Sequence, residues 1–188
     1  PAVLLLADEG GSVVVPIESS GVTEIYGLDV ADGYVYAASH NYLGVVDARV
    51  PADARVVFEW VPPGSTGNPA SVVVVDGVGY VGAGWDGLYV FDLADPARPA
   101  LLGHWVSPDW VIDVAVAGTV AYVSLGDTGV AAVDFADPAS PRLLGSLELG
   151  GFASPIALGG DRLFVGLADG AGTAGGVVVV DVSDPGSP

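Results

Sequence analysis

The chain has 188 residues, 51% of them hydrophobic, and sets 23 acids against five Arg and no Lys, for a formal net charge of −18. That length reads as a single domain over residues 1–188 with a core of its own, and the hydrophobic content excludes a disordered chain. The charge opposes nucleic acid and anionic membrane surfaces, and no apolar run approaches the ~20 residues that cross a bilayer, so neither nucleic-acid binding nor membrane insertion is expected.

An apolar strand, Ala2–Leu6, opens the chain. Residues 12–17, Ser-Val-Val-Val-Pro-Ile, read as an additional strand or as an extension of an outer strand. Thereafter one order of elements recurs, and its third pass is the clearest. Residues 111–117 form a strand, Gly118-Thr119 a turn, residues 120–124 a second strand and 125–128 a loop. Residues 129–134 then form a third strand, Asp137-Pro-Ala-Ser-Pro141 a Pro-locked turn, and residues 142–147 a fourth strand. Each run is short, Val-rich and bounded by Gly, Asp or Pro.

The other passes align with this one. The second-strand aromatic falls at Tyr36, Tyr80, Tyr122 and Phe164, separated by 44, 42 and 42 residues. An Asp closes the third strand at Asp47, Asp92, Asp134 and Asp181, separated by 45, 42 and 47. Four short antiparallel strands per ~42 residues, with no 3.6-residue period anywhere, predict an all-β chain: a β-propeller of about four repeats, each a four-stranded antiparallel blade. The repeated Asp reads as a turn clamp, because a carboxylate there can accept backbone N–H groups of the next turn.

Three segments carry the repeat most plainly: 87–99 (Gly-Leu-Tyr-Val-Phe-Asp-Leu-Ala-Asp-Pro-Ala-Arg-Pro), 129–141 and 176–188. They resemble the LVIVD repeat, a match that covers nearly the whole chain. In the first unit residues 49–54, Arg-Val-Pro-Ala-Asp-Ala, depart from the Asp-Pro-x-x-Pro turn. The resemblance implies a β-propeller of the kind found in bacterial secreted or cell-surface proteins, and it brings no catalytic residues with it.

The repeats also suggest how the ends meet. Later units resume after the turn with Ala100-Leu-Leu-Gly103 and Arg142-Leu-Leu-Gly145, and the chain ends on the turn Asp184-Pro-Gly-Ser-Pro188. Ala2–Leu6 is therefore expected to complete the last blade beside residues 177–182 as its outer strand, which would remove exposed edges. Four blades could close within one chain, or two chains could close an eight-bladed ring as a homo-oligomer. Alternatively, additional blades could complete the ring through Ala2–Leu6. A chain that begins at Pro1 and lacks Met reads as a processed form or a domain of a longer protein, with any signal lying outside it.

Signals of chemistry are sparse. There is no Cys, hence no disulfide framework, thiolate metal site or cysteine nucleophile. Gly170-Ala-Gly-Thr-Ala-Gly175 fits G-x-G-x-x-G, but a strand follows it where a dinucleotide site needs a helix. The two His, His40 and His104, are far apart and make no metal pair. No catalytic residue is assigned and no enzyme activity or cofactor is expected. Ca²⁺ is the one ion to weigh, because Asp86, Asp127 and Asp169 occupy equivalent loops between second and third strands.

In a propeller those loops and the loops entering each inner strand share one mouth of the channel. The candidate binding face there comprises His40, Tyr42, Trp85, Asp86, Asp109, Trp110, Asp127, Phe152 and Asp169. Its aromatics beside acids suit recognition of a protein or a glycan. The structural alternative is that Trp85 and Trp110 wedge between blades. These readings converge on a non-enzymatic extracellular or cell-surface scaffold, with a building block of a larger assembly and a channel-mouth enzyme or Ca²⁺ site as alternatives.

Overall fold

Seventeen strands appear in the computed structural model, which describes residues 2–8, 11–17, 24–39, 42–63, 71–169 and 175–188. The first sheet of the repeat runs β3 (Gly27–Ala31), β4 (Tyr34–Ser39), β5 (Tyr42–Asp47) and β6 (Arg55–Trp60). The second is β7 (Ser71–Val75), β8 (Val78–Gly82), β9 (Leu88–Asp92) and β10 (Ala100–Trp105). The third is β11 (Asp113–Ala117), β12 (Val120–Ser124), β13 (Val130–Asp134) and β14 (Arg142–Leu147). The last is three-stranded, β15 (Phe152–Gly159), β16 (Arg162–Ala168) and β17 (Gly175–Asp181). All neighbours are antiparallel and consecutive in the chain, as in the blades of a propeller.

Local chemistry sets these hairpins. The β3–β4 and β7–β8 turns place Asp32-Gly33 and Asp76-Gly77 at positive φ, near 51° and 77° and near 51° and 76°. Asp-Gly suits the two-residue turns that match strand twist. The repeated Asp acts as read from the sequence. Oδ1 of Asp92, Asp134 and Asp181 accepts the N–H two residues on at 2.8, 2.8 and 3.0 Å. The Asp of each Asp-Pro does the same: Asp95, Asp137 and Asp184 accept from Ala97, Ala139 and Gly186. In the departing first unit, Asp47 Oδ1 accepts the N–H of Arg49 at 3.3 Å and the carboxylate is gripped as well by the Arg49 side chain through bonds of 2.9 and 2.8 Å; a short 3-10 turn, Pro51–Asp53, follows.

The core lies between blades. Tyr36, Ala38, Leu43 and Val45 pack on Val72, Val81, Tyr89 and Phe91. Tyr80, Leu88 and Val90 pack on Val114, Val123, Val133 and Phe135, and Tyr122, Val130 and Ala132 on Leu163, Val165 and Val180. Middle strands of the first three sheets are thus buried on both faces, which is why they read as unbroken apolar runs. The Trp60 ring closes the first interface edge-on against Tyr89 and Phe91, at 4.9 and 5.0 Å.

The N-terminal strand does not complete the last blade. Strand β1 (Ala2–Asp8) pairs along its whole length with β2 (Gly11–Ile17), from Ala2↔Ile17 to Asp8↔Gly11, in a separate two-stranded sheet. The physical reason is proximity: two apolar runs of seven residues, two residues apart, close a hairpin at far smaller loop entropy than a pairing across the whole chain. The additional strand expected over residues 12–17 is the partner that wins. Among the described residues the first and last sheets of the repeat do not close on each other either. Inner strands β3 and β7, β7 and β11, and β11 and β15 lie side by side, whereas β15 and β3 share no comparable contact.

Candidate functional site

Adjacent blades are fastened at the mouth by their loops. Gly84 and Val111 exchange backbone bonds of 3.2 and 3.0 Å, and Ala153 donates to the Gly126 carbonyl at 2.8 Å. Each bridge ties a loop between second and third strands to the entry of the next inner strand. Loop side chains are thereby held on backbone fixed at two points, a rigid base for a binding surface.

These bridges bring together five of the expected residues. Trp85, Asp109, Trp110, Asp127 and Phe152 line one cleft of about 500 Å³, floored by Leu125. Trp85 and Trp110 meet edge to face with ring centroids 5.6 Å apart. Trp85 is 54% exposed, so it does not wedge between blades. Phe152 lies over Gly126, where φ is +57° and an added Cβ would stand 3.0 Å from the ring. Asp109 is oriented by its own turn: Oδ1 accepts the Trp110 N–H at 2.7 Å and Oδ2 the Thr128 hydroxyl.

The remaining expected residues lie elsewhere. His40 falls outside the described residues. Tyr42 is buried in the first blade, its ring over Gly44 and its hydroxyl donating to Glu59 at 3.1 Å; burial first, then the Glu59 carboxylate, pushes its phenol up. It leaves the face because Gly44, with no side chain, makes room for the ring. Asp86 flanks the cleft without lining it, and its carbonyl pairs with His104 Nε2, the His104 ring stacking on Tyr89 at 4.0 Å. Asp169 stands apart at the end of β16. The carboxylate ring expected of Asp86, Asp127 and Asp169 does not assemble: no three His, Cys, Asp or Glu cluster as metal ligands among the described residues. The three acids stand on loops of three different blades.

The Arg side chains gather at one end of the blades, four of them beside carboxylates. Arg49 and Arg55 pair with Asp47, Arg142 with Asp134 and Arg162 with Asp181, all where third strands finish. The fifth Arg, Arg98, sits in the Asp95 turn at the same end, its N–H on the Asp95 carbonyl. The cleft at the opposite end is lined by aromatics and acids, with no Arg or His.

Sequence reading missed two acids on the inner strands. Asp113 Oδ1 accepts the Ser71 hydroxyl at 2.7 Å and its Oδ2 accepts the Ile156 N–H at 2.9 Å, so one carboxylate links blades two, three and four. Asp29 Oδ2 accepts the Val74 N–H at 2.6 Å and links blades one and two. They border a channel of about 610 Å³ to which all four inner strands contribute. The available signal was an acid interrupting an apolar inner strand, where it must answer a buried donor.

The LVIVD repeat model matches residues 26–52, 66–106, 111–148 and 150–188. No curated protein matches. Among solved structures, the computationally designed Ika4 protein superposes with a TM-score of 0.69 at 13% identity, over 90% of this chain and 97% of that one. The computationally designed Ika8 protein gives 0.71 at 13%, over 94% of this chain and 51% of its own. Hydrazine synthase of Kuenenia stuttgartiensis gives 0.69 at 15%, over 92% and 49%. The chain thus spans about half the length of the latter two, and identities this low carry fold alone. With the family model matching across four units, the chain belongs to the LVIVD repeat family.

Proposed function

We propose that this LVIVD-repeat propeller is a non-enzymatic recognition scaffold, acting outside the cell or at its surface without a prosthetic group, and that its partner is a protein presenting basic side chains. The observation that carries the reading is the cleft of Trp85, Trp110 and Phe152 rimmed by Asp109 and Asp127. A Lys or Arg head over a Trp face is attracted by the ring quadrupole, and the carboxylates complete its coordination. The confinement of every Arg to the far end leaves nothing basic at the cleft to compete. A neutral sugar could stack on the same rings and is the comparison ligand. The extracellular setting is what the resemblance to bacterial surface repeat proteins implies.

Titration with a Lys/Arg-rich peptide, read by tryptophan fluorescence, tests this. Binding is expected for the native chain, with at least a tenfold loss in Trp85→Ala and an unchanged melting temperature. Equal affinity in that variant, or a response to neutral oligosaccharides and none to the peptide, would sink the basic-partner reading.

A further inference from the structure

The mouth cleft carries the charge to attract a cation but few acceptors for one that brings N–H groups. Trp85 and Trp110 meet at 74°, so their planes form a corner, and the Phe152 ring stands over Gly126 as a third aromatic. Trp85 and Phe152 are 54 and 41% exposed, an aromatic surface within reach of an incoming group. Leu125 and Ile112 add apolar lining. A corner of rings suits a compact tetrahedral group. A flat guanidinium would cover one ring face and leave part of its five-donor fork over apolar carbon.

The acceptors around these rings are already engaged. Asp109 Oδ1 takes the Trp110 N–H at 2.7 Å, and Oδ2 takes the Thr128 hydroxyl. The Gly126 carbonyl takes two N–H groups, from Ala153 at 2.8 Å and from Gly129 at 3.2 Å. The Leu125 carbonyl takes that of Thr128 at 3.1 Å. Asp127 is exposed, where water competes for its oxygens. A primary ammonium has three N–H donors, and each one turned toward a ring, Leu125 or Ile112 loses water without gaining an acceptor. A trimethylammonium has no donor to satisfy. Its methyl groups gain from the same apolar lining, and its charge keeps the attraction of the ring faces and of both carboxylates.

We propose that the cleft selects a quaternary trimethylammonium group, carried by a partner protein as a fully N-methylated Lys, over an unmodified Lys or Arg. N-methylation keeps the charge of a Lys and removes its donors. The proposal rests on the reading of the cleft as the seat of a basic partner side chain, and it names the form of that side chain. The chain itself has no Lys, so the group comes from another molecule.

Calorimetric titration of the full chain with three short peptides tests it. They share one sequence without other charges and carry, at a single central position, Lys, trimethyl-Lys or the neutral tert-butyl isostere of trimethyl-Lys. The trimethyl-Lys peptide is expected to bind at least about tenfold tighter than either of the others. Trp85→Leu, which keeps apolar bulk and removes the ring, is expected to abolish that preference with an unchanged melting temperature. Equal or tighter binding of the Lys peptide overturns the proposal and leaves the basic-partner reading standing. Equal binding of the tert-butyl peptide also overturns it, because shape and not charge would then decide. No binding by any of the three sinks both. Free choline that binds as tightly as the trimethyl-Lys peptide overturns a protein as the source of the group.

Discussion

Asp113 shows how much one side chain can organise in this fold. Inner strands face the channel with one edge unpaired, and donors there need an answer that the sheet itself cannot supply. Asp113 provides it for the Ser71 hydroxyl, its own following N–H at Val114 (2.9 Å) and Ile156. Asp113→Ala should leave those donors unanswered and lower stability by about 3 kcal/mol in urea unfolding, from typical costs of bonds to charged groups. Asp113→Asn, which keeps one acceptor, should lose clearly less; equal losses would argue that the charge-assisted bonds are not the cause. The sequence made Asp47, Asp92, Asp134 and Asp181 legible as turn clamps because they recur in register. Asp113 and Asp29 escaped because they do not: by register Asp113 corresponds to Gly27 and Asp29 to Val73. At the cleft, the sequence located Trp85, Trp110, Asp109, Asp127 and Phe152, all beside loop positions fixed by the repeat. It misplaced Tyr42, whose course depends on the space over Gly44.

Between strands, the recurring Leu-Leu-Gly has a physical cause. Gly103 and Gly145 stand at the irregular step of the outer strand, opposite Val90 and Ala132. There the turn of the following blade docks: a Cβ on Gly145 would lie 2.8 Å from the Gly186 carbonyl oxygen, and one on Gly103 would overlap that of Pro138. The Asp-Pro turns of the last two blades are thus each seated on the outer strand of the blade before. Gly103→Ala should cost about 1–3 kcal/mol, the usual range for overpacking, whereas Gly176→Ala, with open space around it, should be nearly neutral in the same thermal melts. If both were neutral, the turn would be shown to move aside freely. Strand order was readable because periodicity, turn residues and repeat spacing agree. The partner of β1 was not, because pairing between segments of similar pattern is decided by chain separation and loop closure, which a repeat motif does not encode.

For the molecule as a whole, acid should act in two stages. Lowering the pH from 7 toward 4 reduces the self-repulsion of a chain of net charge −18. Below that, the clamps fail. The Arg49 side chain holds the Asp47 carboxyl down to about 2, and Ser183, with Arg162 next, holds Asp181 down to about 2. A carboxyl whose folded pKa is depressed contributes stability above its ordinary value and loses it as pH falls through the folded one. The melting temperature should therefore be flat or rising from pH 7 to about 4 and fall between about 4 and 2. In Arg49→Gln the melting temperature near pH 7 should be lower and the fall between about 4 and 2 shallower, because Asp47 then has no depressed value to titrate through; an unchanged fall would remove Asp47 from the account. Whether the ring closes was the least legible feature at this scale. Phe164 falls in the same repeat register as the buried Tyr36, Tyr80 and Tyr122, and only the structure shows it, with Val177 and Val179, exposed.

The placement of every Arg at the turn end has a consequence before any contact is made. There the guanidinium groups of Arg49, Arg55, Arg142 and Arg162 are met by Asp47, Asp134 and Asp181 and cancelled locally, whereas the mouth cleft holds Asp109 and Asp127 with no Arg or His in its lining. A basic partner drawn in by the net charge of −18 therefore meets no guanidinium at the mouth to repel it before Trp85 and Trp110 are reached.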